Sequence, residues 1–341
     1  MRALAKMHAG PGVEMIERPV PVPLAGEVLL RVDAASICGT DLHLFQWDEW
    51  AAENLHPPRI LGHELAGTVV GIGSGVTRVH EGDLVGVESH LFCWECAQCK
   101  RGEMHLCRDL QVIGVHVDGG FAEHVVIPEA NAVESNGLDA AVVALQEPMG
   151  NAVHAAFAEP IEGRTVLVTG CGPIGLCAVG IARAAGASFV VATDTEPYRL
   201  ELARTMGADL ALDATDPDTE RRIIDATGGE GVDVVLEMSG AVPALHQALR
   251  VITRGGRISL LGIFNGPVPL ELSDQVIMQG LRLHGIFGRR VYDTWERTQA
   301  LLRSGALDVT PIITHRLDLA EWPKAFELLE SRHAGKVVLL P

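Results

Sequence analysis

Apolar and polar positions follow two different rhythms along the chain. Up to about residue 147, runs such as "GEVLLRVDAASI", "ELAGTVVGIGS", "GDLVGVES" and "GGFAEHVVIP" are rich in β-branched residues and bounded by Gly, Pro and Asp. Such runs predict strands and turns with little helix, a β-rich domain of irregular build. After "QEPMGNAVHAAF" the texture changes. The apolar runs "RTVLVTG", "FVVATD", "LALDA", "VDVVLEMSG", "RISLLGI" and "LRLHGIF" are then separated by helical patterns such as "PIGLCAVGIARAAGA" and "PYRLELARTMGA". This alternation predicts an α/β Rossmann domain with a six-stranded doubly wound parallel sheet, over 148–289. The strand pattern "KVVLLP" has no partner in that count, and the reading returns it to the first domain, which then comprises 1–147 and 290–341.

A length of 341 residues accommodates two domains with proper cores. The balance of 44 acidic against 27 basic residues, a formal charge of −17, repels phosphate backbones and argues against a nucleic-acid partner. No apolar run approaches the ~18 residues of a membrane span, and "MRALAKMHAGPGVEM" lacks a secretory signal pattern, so a soluble cytoplasmic protein is expected. Seven cysteines, four of them clustered, point to metal binding in a reducing compartment rather than to disulfides.

Gly170, Gly172 and Gly175 follow a predicted strand and open a predicted helix. In that setting the first permits a tight turn, the second lets backbone approach a pyrophosphate, and the third allows helix and strand to pack closely. Asp194, at the end of the next strand, is positioned to accept the ribose hydroxyls and to repel a 2′-phosphate, which favours NAD over NADP. Arg199 lies five residues on and could reach a phosphate, stack over adenine or cap the surface.

"CWECAQCKRGEMHLC" places Cys93, Cys96, Cys99 and Cys107 in one lobe at about 88–110. Four thiolates fill a tetrahedral zinc and leave no position for substrate, so this centre reads as structural. The alternatives are an iron–sulfur cluster, a nucleic-acid-binding ribbon, which the acidic balance disfavours, or thiols without metal. A second set comes from "SICGTDLH" and "GHELAG": Cys38, His63 and Glu64 offer a thiolate, an imidazole and a carboxylate, suited to a zinc that keeps a position open. Taken singly, a lone Cys in a β-rich domain is usually core and a His-Glu pair is usually a solvated turn. Glu147 could be a further or exchanging ligand, or a helix cap.

The β-rich domain with its GHE motif, the four-cysteine lobe and the nucleotide-binding domain together resemble the zinc-dependent medium-chain dehydrogenase/reductase family over the whole chain. The resemblance implies a GroES-like catalytic domain, two zinc ions per chain and NAD as cofactor. It implies that Cys38, His63 and Glu64 hold the catalytic zinc and that Cys93, Cys96, Cys99 and Cys107 hold the structural one. It further implies a proton relay through Thr40 and His43, and cofactor contacts from Ile174, Asp194, Arg199, Leu261, Gly262, Ile263, Ile286 and Phe287. A homotetramer is usual for such proteins. Within the family, "WDEW", "EPMGNAVH" and "PIITHRL" resemble members that oxidise the hydroxyl of a small amino acid, with a polyol or 2,3-butanediol as the alternative substrate. Glu147 and His90 are the candidates for holding that substrate's polar groups. One departure is Cys171, where the family often has a small apolar residue; it introduces a thiol that could oxidise beside the pyrophosphate.

Overall fold

The computed structural model describes residues 1–331 and 333–341. The chain divides into two compact units, Met1–Glu147 with Ile313–Pro341, and Pro148–Ile312.

In the first unit the strand Glu27–Ser36 alternates buried and less buried positions as far as Ala34 and is central to a sheet of seven strands. Glu64–Ile72 and His124–Pro128 pair antiparallel along it, and Lys336–Leu340 joins its far end opposite Ala35 and Ser36. The "KVVLLP" segment therefore returns to this unit. The inward positions Val28, Leu30, Val32, Val69, Val85, Ile127, Val337 and Leu339 form one apolar core, the half-buried pattern expected of antiparallel strands. Helix is limited to short pieces, among them Gly39–Gln46 and Glu49–Asn54.

The second unit holds a six-stranded parallel sheet in the order Leu210–Asp213, Phe189–Asp194, Thr165–Thr169, Val232–Glu237, Ile252–Leu260, Arg282–Gly285. Numbered along the chain this is 3-2-1-4-5-6, the doubly wound order, with the reversal beside the first strand. Its central strands are apolar on both faces, as covered parallel strands require. Residues 290–312, which the sequence reading joined to the catalytic domain, lie in this unit. The helix Asp293–Arg303 buries Trp295, and Leu307 packs over Gly180 on the helix Pro173–Ala184. Among the described residues, no helix is long and apolar enough to cross a membrane.

Candidate metal centres and cofactor site

The four-cysteine lobe is built by local turns. Cys96 caps the short helix Ala97–Lys100, and its sulfur accepts the Cys99 N–H at 3.5 Å. The sulfurs of Cys93 and Cys107 accept the N–H groups of Cys96 and Cys93 at 3.3 and 3.4 Å. All four sulfurs lie within 4.8 Å of one another, with Cys96–Cys107 at 3.9 Å and Cys107–Cys93 at 3.5 Å. A tetrahedral zinc with Zn–S bonds of about 2.3 Å sets sulfur–sulfur edges at roughly 3.8 Å, so the donor set fits that ion. Backbone donors from Cys99 and Arg108 bring the Cys96 thiol down to about 6, whereas burial and its thiol neighbours push Cys99 up to about 12. Thiols this crowded ionise together only around a cation.

The second centre is assembled by a ladder. Ser36 stands opposite Glu64 in the antiparallel pairing, so Cys38, just past one strand, meets His63 and Glu64 at the start of the other. Their ligand atoms lie within 4.8 Å of one another. Gly62 holds φ +91°, and a Cβ there would come within 2.4 Å of the Phe121 ring, which explains the glycine of the GHE motif. The Cys38 N–H donates to Asp41 at 2.8 Å, and the other Asp41 oxygen lies 3.7 Å from His63 Nδ1. Neither that oxygen nor His63 Nδ1 has a hydrogen-bond partner among the described residues, although both are buried. Burial opposes a charged His63, but Asp41, Cys38 and Glu147 outweigh it and push its pKa up to about 10. The surroundings thus favour positive charge at this point, which a dication satisfies by displacing the proton.

Glu64 is not held by its neighbours in sequence alone. Its carboxylate accepts the Ser36 hydroxyl and the buried Lys336 ammonium, and Lys336 also donates to the Ile37 carbonyl at 3.1 Å. Burial works against the charge on Lys336, and the anionic Glu64 and Cys38 overcome it. The sequence reading named neither Asp41 nor Lys336. A lysine opening the buried strand "KVVLL" was the available signal.

Glu147 stands at the start of the helix Gln146–Ala156 and accepts the Ser89 hydroxyl at 2.6 Å. It is buried and adds to the field on His63 but is not one of the three grouped donors. His90 is also buried, with Nδ1 3.7 Å from Glu88. Thr40 Oγ1 lies 3.8 Å from the Cys38 sulfur. His43, one turn on, is exposed, and its Nδ1 meets Asp48 at 2.6 Å. In "WDEW", Trp47 packs on the core beneath the Lys6 ammonium, 5.0 Å from its ring, Asp48 caps the helix Glu49–Asn54, and Trp50 is exposed.

In the second unit the glycine turn has the expected form. Gly170 holds φ +84°, Gly172 caps the helix Pro173–Ala184, and a Cβ on Gly175 would fall 1.8 Å from the Gly170 oxygen. Asp194 ends its strand buried and accepts the Cys171 N–H at 2.6 Å. Ile174 and Arg199 are half-buried nearby in sequence to this turn and strand, and Arg199 Nε has no partner among the described residues. Leu261, Gly262 and Ile263 follow the strand Ile252–Leu260, and Ile286 and Phe287 follow Arg282–Gly285, so all five sit past the carboxyl ends of strands, where doubly wound sheets bind ligands. The expectation that Cys171 places an oxidisable thiol in the glycine turn is corrected. The thiol is fully buried, and burial together with Asp194 raises its pKa, so it stays protonated and unreactive.

Residues 24–137 match the alcohol dehydrogenase GroES-like domain, and residues 173–304 match the zinc-binding dehydrogenase family. The L-threonine 3-dehydrogenase of Symbiobacterium thermophilum is 46% identical over 343 aligned residues, covering 100% of this chain and 98% of that protein. A solved zinc-binding dehydrogenase from Sinorhizobium meliloti bound to NADP is similar with a TM-score of 0.91 at 32% identity, over 100% of this chain and 99% of that one. An alcohol dehydrogenase from E. coli complexed with NADH gives a TM-score of 0.91 at 28% identity, over the same shares. A GroES-like unit bearing two clustered donor sets, a Rossmann unit with its glycine turn, and relatives matched end to end agree: the chain belongs to the zinc-dependent medium-chain dehydrogenase/reductase family.

Proposed function

We propose that this protein oxidises L-threonine at its β-hydroxyl to 2-amino-3-oxobutanoate, passing a hydride to NAD and releasing a proton. The observation that carries the reading is the group of half-buried Cys38 with buried His63 and Glu64, a three-donor set suited to a zinc with a position left for an alcohol. The substrate follows from full-length likeness to a protein named L-threonine 3-dehydrogenase. Bound zinc supplies the Lewis acidity that lowers an alcohol's pKa, and the nicotinamide accepts the hydride. Asp41 supports positive charge at the His63 imidazole, and Thr40 Oγ1 takes the hydroxyl proton toward His43, whose ring Asp48 orients. Glu147, held by Ser89, is the acid proposed to anchor the substrate ammonium, with His90 as a second polar contact.

The four-cysteine lobe holds a second, structural zinc in this reading, which gives two per chain. Asp194 underlies a preference for NAD, by charge repulsion of a 2′-phosphate. Strand Arg282–Gly285 is a sheet edge, and exposed apolar side chains lie on and before it, with Ile277 and Met278 each 70% exposed. Such an edge favours pairing with a second copy and supports the proposed homotetramer. A cytoplasmic location fits thiols kept for metal.

The test is initial NADH formation with L-threonine, L-serine, 2,3-butanediol and sorbitol under identical conditions. L-Threonine should give the highest kcat/KM, and L-serine, lacking one methyl, a value lower by about 10- to 200-fold. A higher value for butanediol or sorbitol would assign the protein to polyol oxidation instead.

A further inference from the structure

The sheet of the second unit carries two buried carboxylates at the carboxyl ends of the strands that flank the one feeding the glycine turn, offset by one residue in register. The strand Thr165–Thr169, which feeds that turn, is flanked by Phe189–Asp194 and Val232–Glu237, and each flanking strand ends on an acid. In a doubly wound sheet the two halves on either side of the strand reversal take the two nucleotides of a dinucleotide. Asp194 belongs to the half that takes the adenosine ribose. Glu237 ends the strand that opens the other half, opposite Thr169.

Glu237 is fully buried and gathers donors from its surroundings. Its Oε1 accepts the N–H groups of Ser239 and Gly240 at 2.9 and 3.0 Å, the Thr169 hydroxyl at 3.3 Å, and the Ser239 hydroxyl. Its main-chain carbonyl accepts the N–H groups of Leu261 and Gly262 at 3.0 and 3.1 Å. A Cβ on Gly262 would lie 2.1 Å from the Gly240 nitrogen and 2.7 Å from Glu237 Oε2. The carboxylate and the loops after two adjacent strands are therefore packed as one body. Burial raises the pKa of Glu237, and the hydrogen bonds to Oε1 oppose that shift. Those donors are neutral, so they support the anion without cancelling its charge.

Resting on the nicotinamide reading above, we infer that Glu237 is the fixed counter-charge of the oxidised cofactor. A buried anion in this half-site favours the cationic ring of NAD over the neutral ring of NADH. The consequence for an enzyme that oxidises an alcohol with NAD is easier release of the reduced cofactor. Asp194, on the far side of the glycine turn, selects between cofactors by phosphate; Glu237 selects between redox states.

The experiment is NADH titration by fluorescence, with NAD measured by competition, on unmodified protein and on Glu237→Gln. Gln keeps an acceptor for the Ser239 and Gly240 N–H groups and removes only the charge, and a melting curve reports the fold. The ratio Kd(NAD)/Kd(NADH) should rise by at least about fivefold. Ser239→Ala removes one donor that supports the charge, so the ratio should move the same way by about twofold even if the Gln variant fails to fold. Equal weakening of both forms, or an unchanged ratio in both variants, would overturn the inference. Failure of the unmodified protein to bind either form would instead sink the nicotinamide reading, and this inference with it.

Discussion

The two donor clusters of the first unit differ in how the chain makes them. The four-cysteine lobe takes all its candidate donors from 15 consecutive residues, Cys93 to Cys107, and orients them with backbone N–H groups of the same turns. The Cys38, His63, Glu64 cluster draws on two strands, on Asp41 one helical turn away, and on Lys336, 272 residues from Glu64. A local cluster that presents four donors closes a metal off and serves to fix a loop. A cluster that offers three donors from distant parts of a sheet depends on the fold being complete, and the fold can hold those donors in place while leaving room for a substrate.

That contrast can be broken most severely at His63. His63→Ala should lower turnover by about 10³-fold or more, because the Lewis acid supplies several kcal/mol of the barrier reduction. Thermal stability and NADH affinity should stay near those of the unmodified protein, read by melting and fluorescence titration. A stable variant with turnover intact would contradict the assignment of this centre.

Cys96→Ser should do the reverse. Zinc content should fall by one per chain and the melting temperature by several degrees, because a structural zinc contributes folding free energy directly. The turnover of whatever protein remains folded should be preserved per remaining zinc. Loss of turnover with no loss of stability would exchange the roles of the two centres.

Lys336→Met sharpens the contrast, since it tests whether the distributed centre depends on a remote partner. Glu64 would keep a buried charge with its cation removed, which costs about 3–5 kcal/mol when one member of a buried pair is deleted. Denaturant unfolding should show that loss, and zinc supplied in excess should recover part of it by taking the carboxylate. A cost below about 1 kcal/mol would mean the pair is not coupled to the site.

Asp194→Ser touches neither cluster and serves as the control with the smallest effect. Relaxing the repulsion of a 2′-phosphate should raise kcat/KM with NADP relative to NAD by about tenfold, with both zinc ions retained and the melting temperature lowered slightly by loss of the acceptor for the Cys171 N–H. Equal use of the two cofactors by the unmodified enzyme would remove the basis for this expectation.

How much of this was legible in the sequence follows the same division. The lobe and the glycine turn were readable because their ligands or glycines sit at fixed short spacings, and local spacing is what a linear pattern records. The central strands of the parallel sheet were readable because covered strands are apolar throughout, whereas the edge strand Arg282–Gly285 is mostly exposed. Asp41 and Lys336 were not read, since their roles arise from contacts across the sheet: Lys336 meets Glu64 only because Lys336–Leu340 pairs with the end of Glu27–Ser36. The boundary at 290 failed for a related reason. The helix Asp293–Arg303 looks like any amphipathic helix, and only the burial of Trp295 and Leu307 in the second unit shows where it belongs. Cys171 looked reactive by position, whereas burial, which a sequence does not display, makes it inert.

The central claim is that two zinc ions of unequal role sit in one chain. It is tested most directly by metal analysis of freshly purified, active protein beside His63→Ala and Cys96→Ser, with turnover measured on the same samples. The account predicts two zinc ions per chain in the unmodified protein and one in each variant, with activity lost in the first variant and retained per remaining zinc in the second. One zinc or none in fully active unmodified protein would contradict it.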